Sequence, residues 1–197
     1  MELTTRFQDA LQYAAQLHKN QLRKGSGVPY LAHLLSVTAL VLEDGGDEDQ
    51  AIAALLHDAV EDQGGLQTLE EIRHRYGDRV ASIVDGCTDS YTTPKLPWRE
   101  RKESYLERLR QANSDIRRVS LADKLHNAYS LLKDLRVHGS TTWHRFKGGK
   151  TGTLWYFNNL LYIFRESGNS PMIEEFSSVI NDIEKIVDKE GMAPEEV

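Results

Sequence analysis

The length, composition and charge of the chain limit what it can be. At 197 residues it is long enough for one domain with a buried core and short for two. The formal net charge of −6 argues against a dedicated nucleic-acid-binding protein, which normally carries a dominant basic face. The single cysteine, Cys87, excludes an intrachain disulfide framework, and its helical setting marks it as a packing residue.

The sequence pattern predicts neither a signal peptide nor a membrane span. The first residues, MELTTRFQDALQYAAQLHKN, form an amphipathic segment that does not resemble a signal peptide. No apolar run approaches the roughly 20 residues that a membrane span requires. We therefore expect a cytoplasmic protein without a membrane partner.

Apolar residues recur with helical spacing along almost the whole chain, whereas the alternation typical of strands is nearly absent. The pattern predicts an all-α fold, a compact helical bundle forming a single domain over residues 1–190. Residues 191–197 lack apolar periodicity and are predicted to be a frayed tail. The predicted helices span residues 4–19, 30–44, 47–61, 66–76, 78–89, 99–112, 115–136, 152–167 and 171–189.

Breaks between the predicted helices carry recognisable signals. Gly45 and Gly46 end one helix, and Asp47 is a suitable cap for the next. Residues 90–100, with two prolines, and residues 138–153, rich in glycine and threonine, are predicted to be loops.

The pair His57-Asp58, inside AALLHDAVED, is the most informative feature of the chain. Both polar residues interrupt an apolar helix, and buried groups of this kind need compensation, for which a metal ion is a common solution. Glu61 and Asp62 follow four residues later, so they share helix faces with His57 and Asp58. A helix patch with one imidazole and three carboxylates is self-repelling without a cation. A His-Asp pair alone, however, also arises by chance.

Two further apolar helices each carry one potential metal ligand. His33 stands at the start of the helix predicted over residues 30–44, where a capping or core histidine is the alternative. Asp123 lies in the helix predicted over residues 115–136, where the alternative is a costly buried carboxylate. Two imidazoles and two carboxylates suit Mn, Fe, Zn, Co or Ni better than Ca²⁺.

Four stretches carry a family resemblance: RKGSGVPYLAH, AALLHDAVED, RYGDRVASIVDGCTD and SLADKLHNA. Through them the chain resembles HD-domain metal-dependent phosphohydrolases. Within that superfamily it is similar to the hydrolase domain of RelA/SpoT-type alarmone enzymes and to small alarmone hydrolases. The resemblance implies a metal held by His33, His57, Asp58 and Asp123, with Mn²⁺ as the expected ion.

The acidic pair that follows the His-Asp motif has two interpretations. In the simpler interpretation, Glu61 and Asp62 are exposed residues at the end of a helix. Carboxylates beside an activated water can instead accept its proton and pass one to a leaving group. The resemblance implies this catalytic role for Glu61 and Asp62.

Five residues are candidates for holding a substrate. Arg23 and Lys24 precede a flexible Gly-Ser-Gly; they are either a surface charge run or, as the resemblance implies, part of the nucleotide pocket. Asn127 shares a helix face with Asp123 and can bind a sugar or base by hydrogen bonds. Lys150 and Tyr156 are suited to gripping phosphates, in a segment that departs most from the alarmone hydrolases.

The favoured function is a metal-dependent phosphohydrolase that removes the 3′-pyrophosphate from (p)ppGpp- or (p)ppApp-type nucleotides. Its partner is then a small phosphorylated nucleotide and not a nucleic-acid polymer. The alternatives are an HD phosphohydrolase acting on other nucleotides or small phosphate esters, and a nucleotide sensor without turnover. A pure sensor needs no proton-transfer pair. The metal, the nucleobase and the oligomeric state stay open.

Overall fold

The computed structural model describes residues 2–91, 94 and 96–192. Within these residues all regular elements are helices, and the β-type pairing is a lone bridge between Leu22 and Pro29, which confirms the all-α prediction. None of the helices described is long and apolar enough to cross a membrane. The α-helices are α1 (Thr5–Leu17), α2 (Leu31–Glu43), α3 (Glu48–Leu56), α4 (Ala59–Gln63), α5 (Leu66–Tyr76), α6 (Asp78–Cys87), α7 (Trp98–Gln111), α8 (Ser114–His138), α9 (Gly149–Glu166) and α10 (Pro171–Met192), with a 3₁₀ helix at Gly139–Arg145.

The helix predicted over residues 47–61 is interrupted at its most informative point. Helix α3 ends at Leu56, and α4 begins at Ala59. His57 Nδ1 lies 2.8 Å from the carbonyl oxygen of Ala54, the acceptor that Asp58 N–H would use in a continuous helix. The imidazole thus competes with the helical ladder where the chain turns from α3 into α4.

The loop predicted over residues 138–153 is also wrong in part. It contains the 3₁₀ helix, and α9 begins at Gly149, earlier than predicted. The glycine and threonine content of this segment predicts a loop, because these residues have weak helix propensity. Thr142 and Trp143 are nevertheless buried, and their burial stabilises the helical structure. At the other end of the chain α10 continues to Met192, so the start of the predicted tail is helical, and residues 193–197 lie outside the described residues.

The chain forms two compact units, residues 1–123 and 124–197, and α8 runs across the boundary. The first unit has its core on α2, α3 and α6, where the apolar side chains of α3 are fully buried. In the second unit Phe157 and Phe164 pack edge-on against Phe176, at ring distances of 5.8 and 6.1 Å. A single domain over residues 1–190 stays a prediction.

A polar array joins the start of α8 to the start of α3. Asp47 and Gln50 form a capping box at α3, which confirms the predicted cap. Arg79 donates to both Asp47 and Asp115, at 2.7 and 2.8 Å. Gln50 donates to Asp115 and accepts from Arg118. These bonds fix the segment of α8 that carries Asp123.

Candidate metal centre

The four side chains predicted to be metal ligands meet in the first unit. His33 comes from α2, His57 and Asp58 from the junction of α3 and α4, and Asp123 from α8. His33 Nε2 lies 3.2 Å from Asp123 Oδ1 and 3.6 Å from Asp58 Oδ2. His57 Nε2 lies 3.0 Å from Asp58 Oδ2 and 3.6 Å from Asp123 Oδ1. Nitrogen and oxygen donors from separate elements therefore converge on one point.

The imidazole of His57 is oriented for a cation. Its Nδ1 donates to the Ala54 carbonyl, which leaves Nε2 as a bare lone pair in the neutral ring. This nitrogen is buried and makes no hydrogen bond within the described residues, although two carboxylate oxygens lie close to it. A lone pair facing carboxylates repels them. Because a divalent cation would satisfy all of these atoms at once, the residues present fit a metal.

The pKa directions describe the cluster in its metal-free state. Burial lowers the pKa of His57, but the Asp58 and Asp123 carboxylates outweigh it and raise that pKa well above its usual value. Burial raises the pKa of Asp58, but the nearby imidazoles of His57 and His33 hold it well below its usual value. Without a cation, a proton on His57 therefore balances the carboxylates.

Tyr30, just before α2, supports the cluster from one side. Its hydroxyl donates to Asp58 Oδ2 at 2.5 Å, and its ring packs edge-on against His33 with centroids 5.4 Å apart. Burial and the nearby Asp58 charge raise the pKa of Tyr30, so the hydroxyl keeps its proton and remains a donor. Sequence reasoning gave Tyr30 no role, since nothing local indicates a contact with a residue 28 positions away.

The acidic pair does not act as a single patch. Glu61 Oε2 accepts the backbone N–H of Asp89 at 3.1 Å, whereas Asp62 Oδ2 accepts from the Gln21 amide at 2.7 Å. The short helix α4 turns the two carboxylates toward different neighbours.

Two cations lie near the Glu61 side of α4. Arg101 and Lys102, on α7, both donate to the carboxylate of Asp89, whose backbone N–H in turn binds Glu61. All three charged side chains are largely buried. The sequence motifs assigned no role to Asp89, because its contacts come from residues distant along the chain.

The predicted substrate-binding residues are divided between the two units. In the first, the guanidinium of Arg23 lies over the Tyr30 ring at 5.8 Å, which brings it toward the Asp58 side of the cluster, while Lys24 is exposed. In the second, Asn127 is half-buried on α8, Lys150 is exposed at the start of α9, and Tyr156 is buried. The roles of these five residues remain predictions.

A family model described as an HD domain matches residues 10–153 of the chain. This range is more than half of the sequence and contains all four residues of the cluster. The chain belongs to the HD-domain family. The resemblance inferred from the sequence motifs is thereby confirmed.

The chain is also similar to curated proteins and to a solved structure that are named for the hydrolysis of ppGpp. The HD-domain chain is 40% identical over 131 residues to guanosine-3′,5′-bis(diphosphate) 3′-pyrophosphohydrolase MESH1 of Xenopus tropicalis, covering 65% of this chain and 68% of that protein. It is 34% identical over 143 residues to MESH1 of Drosophila melanogaster, covering 71% and 75%. The solved structure of a metazoan SpoT ortholog, described as hydrolysing ppGpp, has a TM-score of 0.73 at 27% identity and covers 98% of this chain and 99% of its own.

Proposed function

We propose that this HD-domain protein is a metal-dependent phosphohydrolase that removes the 3′-pyrophosphate from (p)ppGpp- or (p)ppApp-type nucleotides. The observation that carries the proposal is the convergence of the buried Nε2 atoms of His57 and His33 with the carboxylates of Asp58 and Asp123, at 3.0 to 3.6 Å. The relatives named for ppGpp 3′-pyrophosphate hydrolysis support the reaction class. The cysteine usage supports a cytoplasmic site of action.

His33, His57, Asp58 and Asp123 would hold the ion, and Mn²⁺ is the ion we propose. A divalent cation bound there would lower the pKa of a water molecule toward about 7 and neutralise charge on a phosphoryl oxygen. Imidazole and carboxylate ligands suit Mn²⁺. The two histidines are buried, whereas the side chain of Asp58 is 22% exposed, which gives the site a side that solvent and substrate can reach.

The acidic pair would handle the protons of the hydrolysis. The water oxygen bonds to the phosphorus attached to the 3′ oxygen, and the bond between that phosphorus and the 3′ oxygen breaks. One proton of the water passes to a carboxylate, and one proton is delivered to the departing 3′ oxygen. Asp62 and Glu61 are the carboxylates we assign, and their different neighbours suit two different tasks.

The nucleotide would be held by residues at a distance from the reacting phosphorus. Arg23 and Lys24 would neutralise phosphate charge, and Asn127 would bind the nucleoside by hydrogen bonds. Lys150 and Tyr156 would contribute further phosphate contacts. The position of Arg23 beside Tyr30 supports its part in this set.

A nucleotide panel with added Mn²⁺ tests the proposal. Purified protein should release pyrophosphate from ppGpp or ppApp faster than it releases orthophosphate from nucleoside monophosphates. Orthophosphate release from monophosphates alone would instead favour an HD phosphohydrolase for other phosphate esters. Tight binding of one nucleotide without any hydrolysis would favour a sensor. Either of these results would reject the proposed reaction.

A further inference from the structure

His18 is a buried histidine that neither the sequence motifs nor the proposed reaction explains. It follows α1 and is only 2% exposed. Its Nδ1 lies 2.7 Å from Gln21 Oε1, and its ring stacks on Tyr30 at a centroid distance of 5.3 Å and an angle of 19°. Its Nε2 makes no hydrogen bond within the part of the chain that the structure describes. A residue that only fills space here could be an aromatic ring without nitrogen, such as phenylalanine, which would avoid the cost of a buried nitrogen without a hydrogen bond.

The neighbours of Gln21 determine how its amide is oriented. Gln21 Nε2 donates to Asp62 Oδ2 at 2.7 Å, and Gln63 Nε2 donates to Gln21 Oε1 at 2.5 Å. A flipped amide would set its oxygen against the Asp62 carboxylate and its nitrogen against the Gln63 nitrogen. The oxygen therefore faces His18, and His18 Nδ1 must be the donor.

The protonation state of His18 agrees with this direction of donation. Burial lowers the pKa of His18, so its ring is neutral at pH 7 and carries its single proton on Nδ1. A chain of donors then runs from His18 through Gln21 to the carboxylate of Asp62. On its other side the His18 ring supports Tyr30, whose hydroxyl donates to Asp58.

We propose that His18 is a positioning residue for hydrolysis: through Gln21 it orients the Asp62 carboxylate, and through Tyr30 it supports Asp58. The inference rests on the proposed function, because Asp62 matters only if the site performs hydrolysis. These two routes, one through Gln21 to Asp62 (the arm to Asp62) and one through Tyr30 to Asp58 (the arm to Asp58), use different parts of the His18 ring. The arm to Asp62 needs the Nδ1 proton, whereas the arm to Asp58 needs the flat face.

Two substitutions separate these arms. His18→Phe keeps a flat ring against Tyr30 but removes the donor. His18→Asn keeps an N–H near the position of Nδ1 but removes the ring. Gln21→Met removes the amide that links His18 to Asp62, at a half-buried position outside the core. It tests the same link if the His18 variants fold poorly. The exposed neighbour Asn20, replaced by alanine, is the control.

The kinetic test uses ppGpp and Mn²⁺ and separates kcat from KM. His18→Phe and Gln21→Met should each lower kcat by about 10- to 100-fold, the range found when outer partners of site residues are removed, with KM and bound metal nearly unchanged. His18→Asn should regain part of kcat over His18→Phe but bind Mn²⁺ more weakly. Parent-like kcat in His18→Phe and Gln21→Met, or a loss confined to KM, would overturn the proposal.

A measurement independent of turnover keeps the two proposals apart. The nitrogen NMR signals of the His18 ring, recorded with diamagnetic Zn²⁺ in the site and assigned with His18→Phe, should show a neutral ring protonated on Nδ1. Protonation on Nε2 would overturn the positioning role. A parent protein that shows the Nδ1 form but hydrolyses no nucleotide would reject the proposed function and the catalytic part of this proposal, while the direction of donation from His18 to Gln21 would be upheld.

Discussion

At the scale of single residues, His57 shows how a side chain is prepared for a ligand. The Ala54 carbonyl fixes one ring nitrogen as a donor, and the other faces Asp58 and Asp123, where a metal ion would take the place of a proton. The same contact lies where α3 ends and the chain turns into α4. Local structure and ligand geometry therefore have a common cause at this residue.

The first prediction concerns metal content. His57→Ala and Asp123→Asn should each lose most of the bound Mn²⁺, because each removes a proposed ligand from a set of four. Elemental analysis after gentle purification measures this loss, with about one ion per chain expected in the parent. The exposed His74, replaced by alanine, is the matched control. Full metal content in both site variants would show that these residues are not ligands.

The second prediction concerns protons in the cluster. Because the pKa of His57 is raised above its usual value when no metal is present, Mn²⁺ must displace a proton from it at neutral pH. Affinity should therefore rise with pH through neutrality and continue rising until that raised pKa is passed. Calorimetry in buffers of different ionisation enthalpy should count about one proton released per ion. Proton-free binding, or an affinity that does not change between weakly acidic and weakly basic pH, would contradict this.

The third prediction concerns the acidic pair. Glu61→Gln and Asp62→Asn should retain metal while turnover of ppGpp falls by about 10²–10⁴-fold, the range for general acid–base groups. Glu70→Gln is a suitable control, since Glu70 is an exposed partner of Arg73 on α5. If both variants turn over at the parent rate, the pair is a solvated helix end.

At the scale of elements, much of the fold follows from local pattern, and much of the site does not. The apolar periodicity predicts the long helices, and Asp47 is recognisable as a cap from its neighbours alone. The break at His57 depends on a side chain bonding its own helix, which periodicity does not detect. The Gln21–Asp62 bond joins residues 41 positions apart, and no local signal indicates such a contact.

The fourth prediction belongs to the cap of α3. Asp47→Ala should lower the free energy of unfolding by about 1 kcal/mol, within the range of about 0.5–2 kcal/mol for a lost cap. Asp47→Asn should lower it less, because asparagine caps equally well and loses only a surface pair with Arg79. Urea unfolding measures both variants. Equal losses in the two would assign the effect to the ion pair rather than the cap.

At the scale of the whole molecule, likeness in fold extends further than likeness in sequence. The curated MESH1 relative from Xenopus tropicalis aligns with 65% of the chain, whereas the solved SpoT ortholog matches 98% of it. The nucleotide panel, which compares ppGpp with ppApp, tests which nucleobase the protein accepts.

The most direct test of the central claim is a titration of metal-stripped protein with Mn²⁺ while pyrophosphate release from ppGpp is followed. We expect no release without metal, a rate that rises until about one ion is bound per chain, and GDP and pyrophosphate in equal amounts. His57→Ala should fail to respond over the same range. Release that is independent of Mn²⁺, or that persists undiminished in His57→Ala, would contradict a metal-dependent pyrophosphohydrolase centred on this cluster.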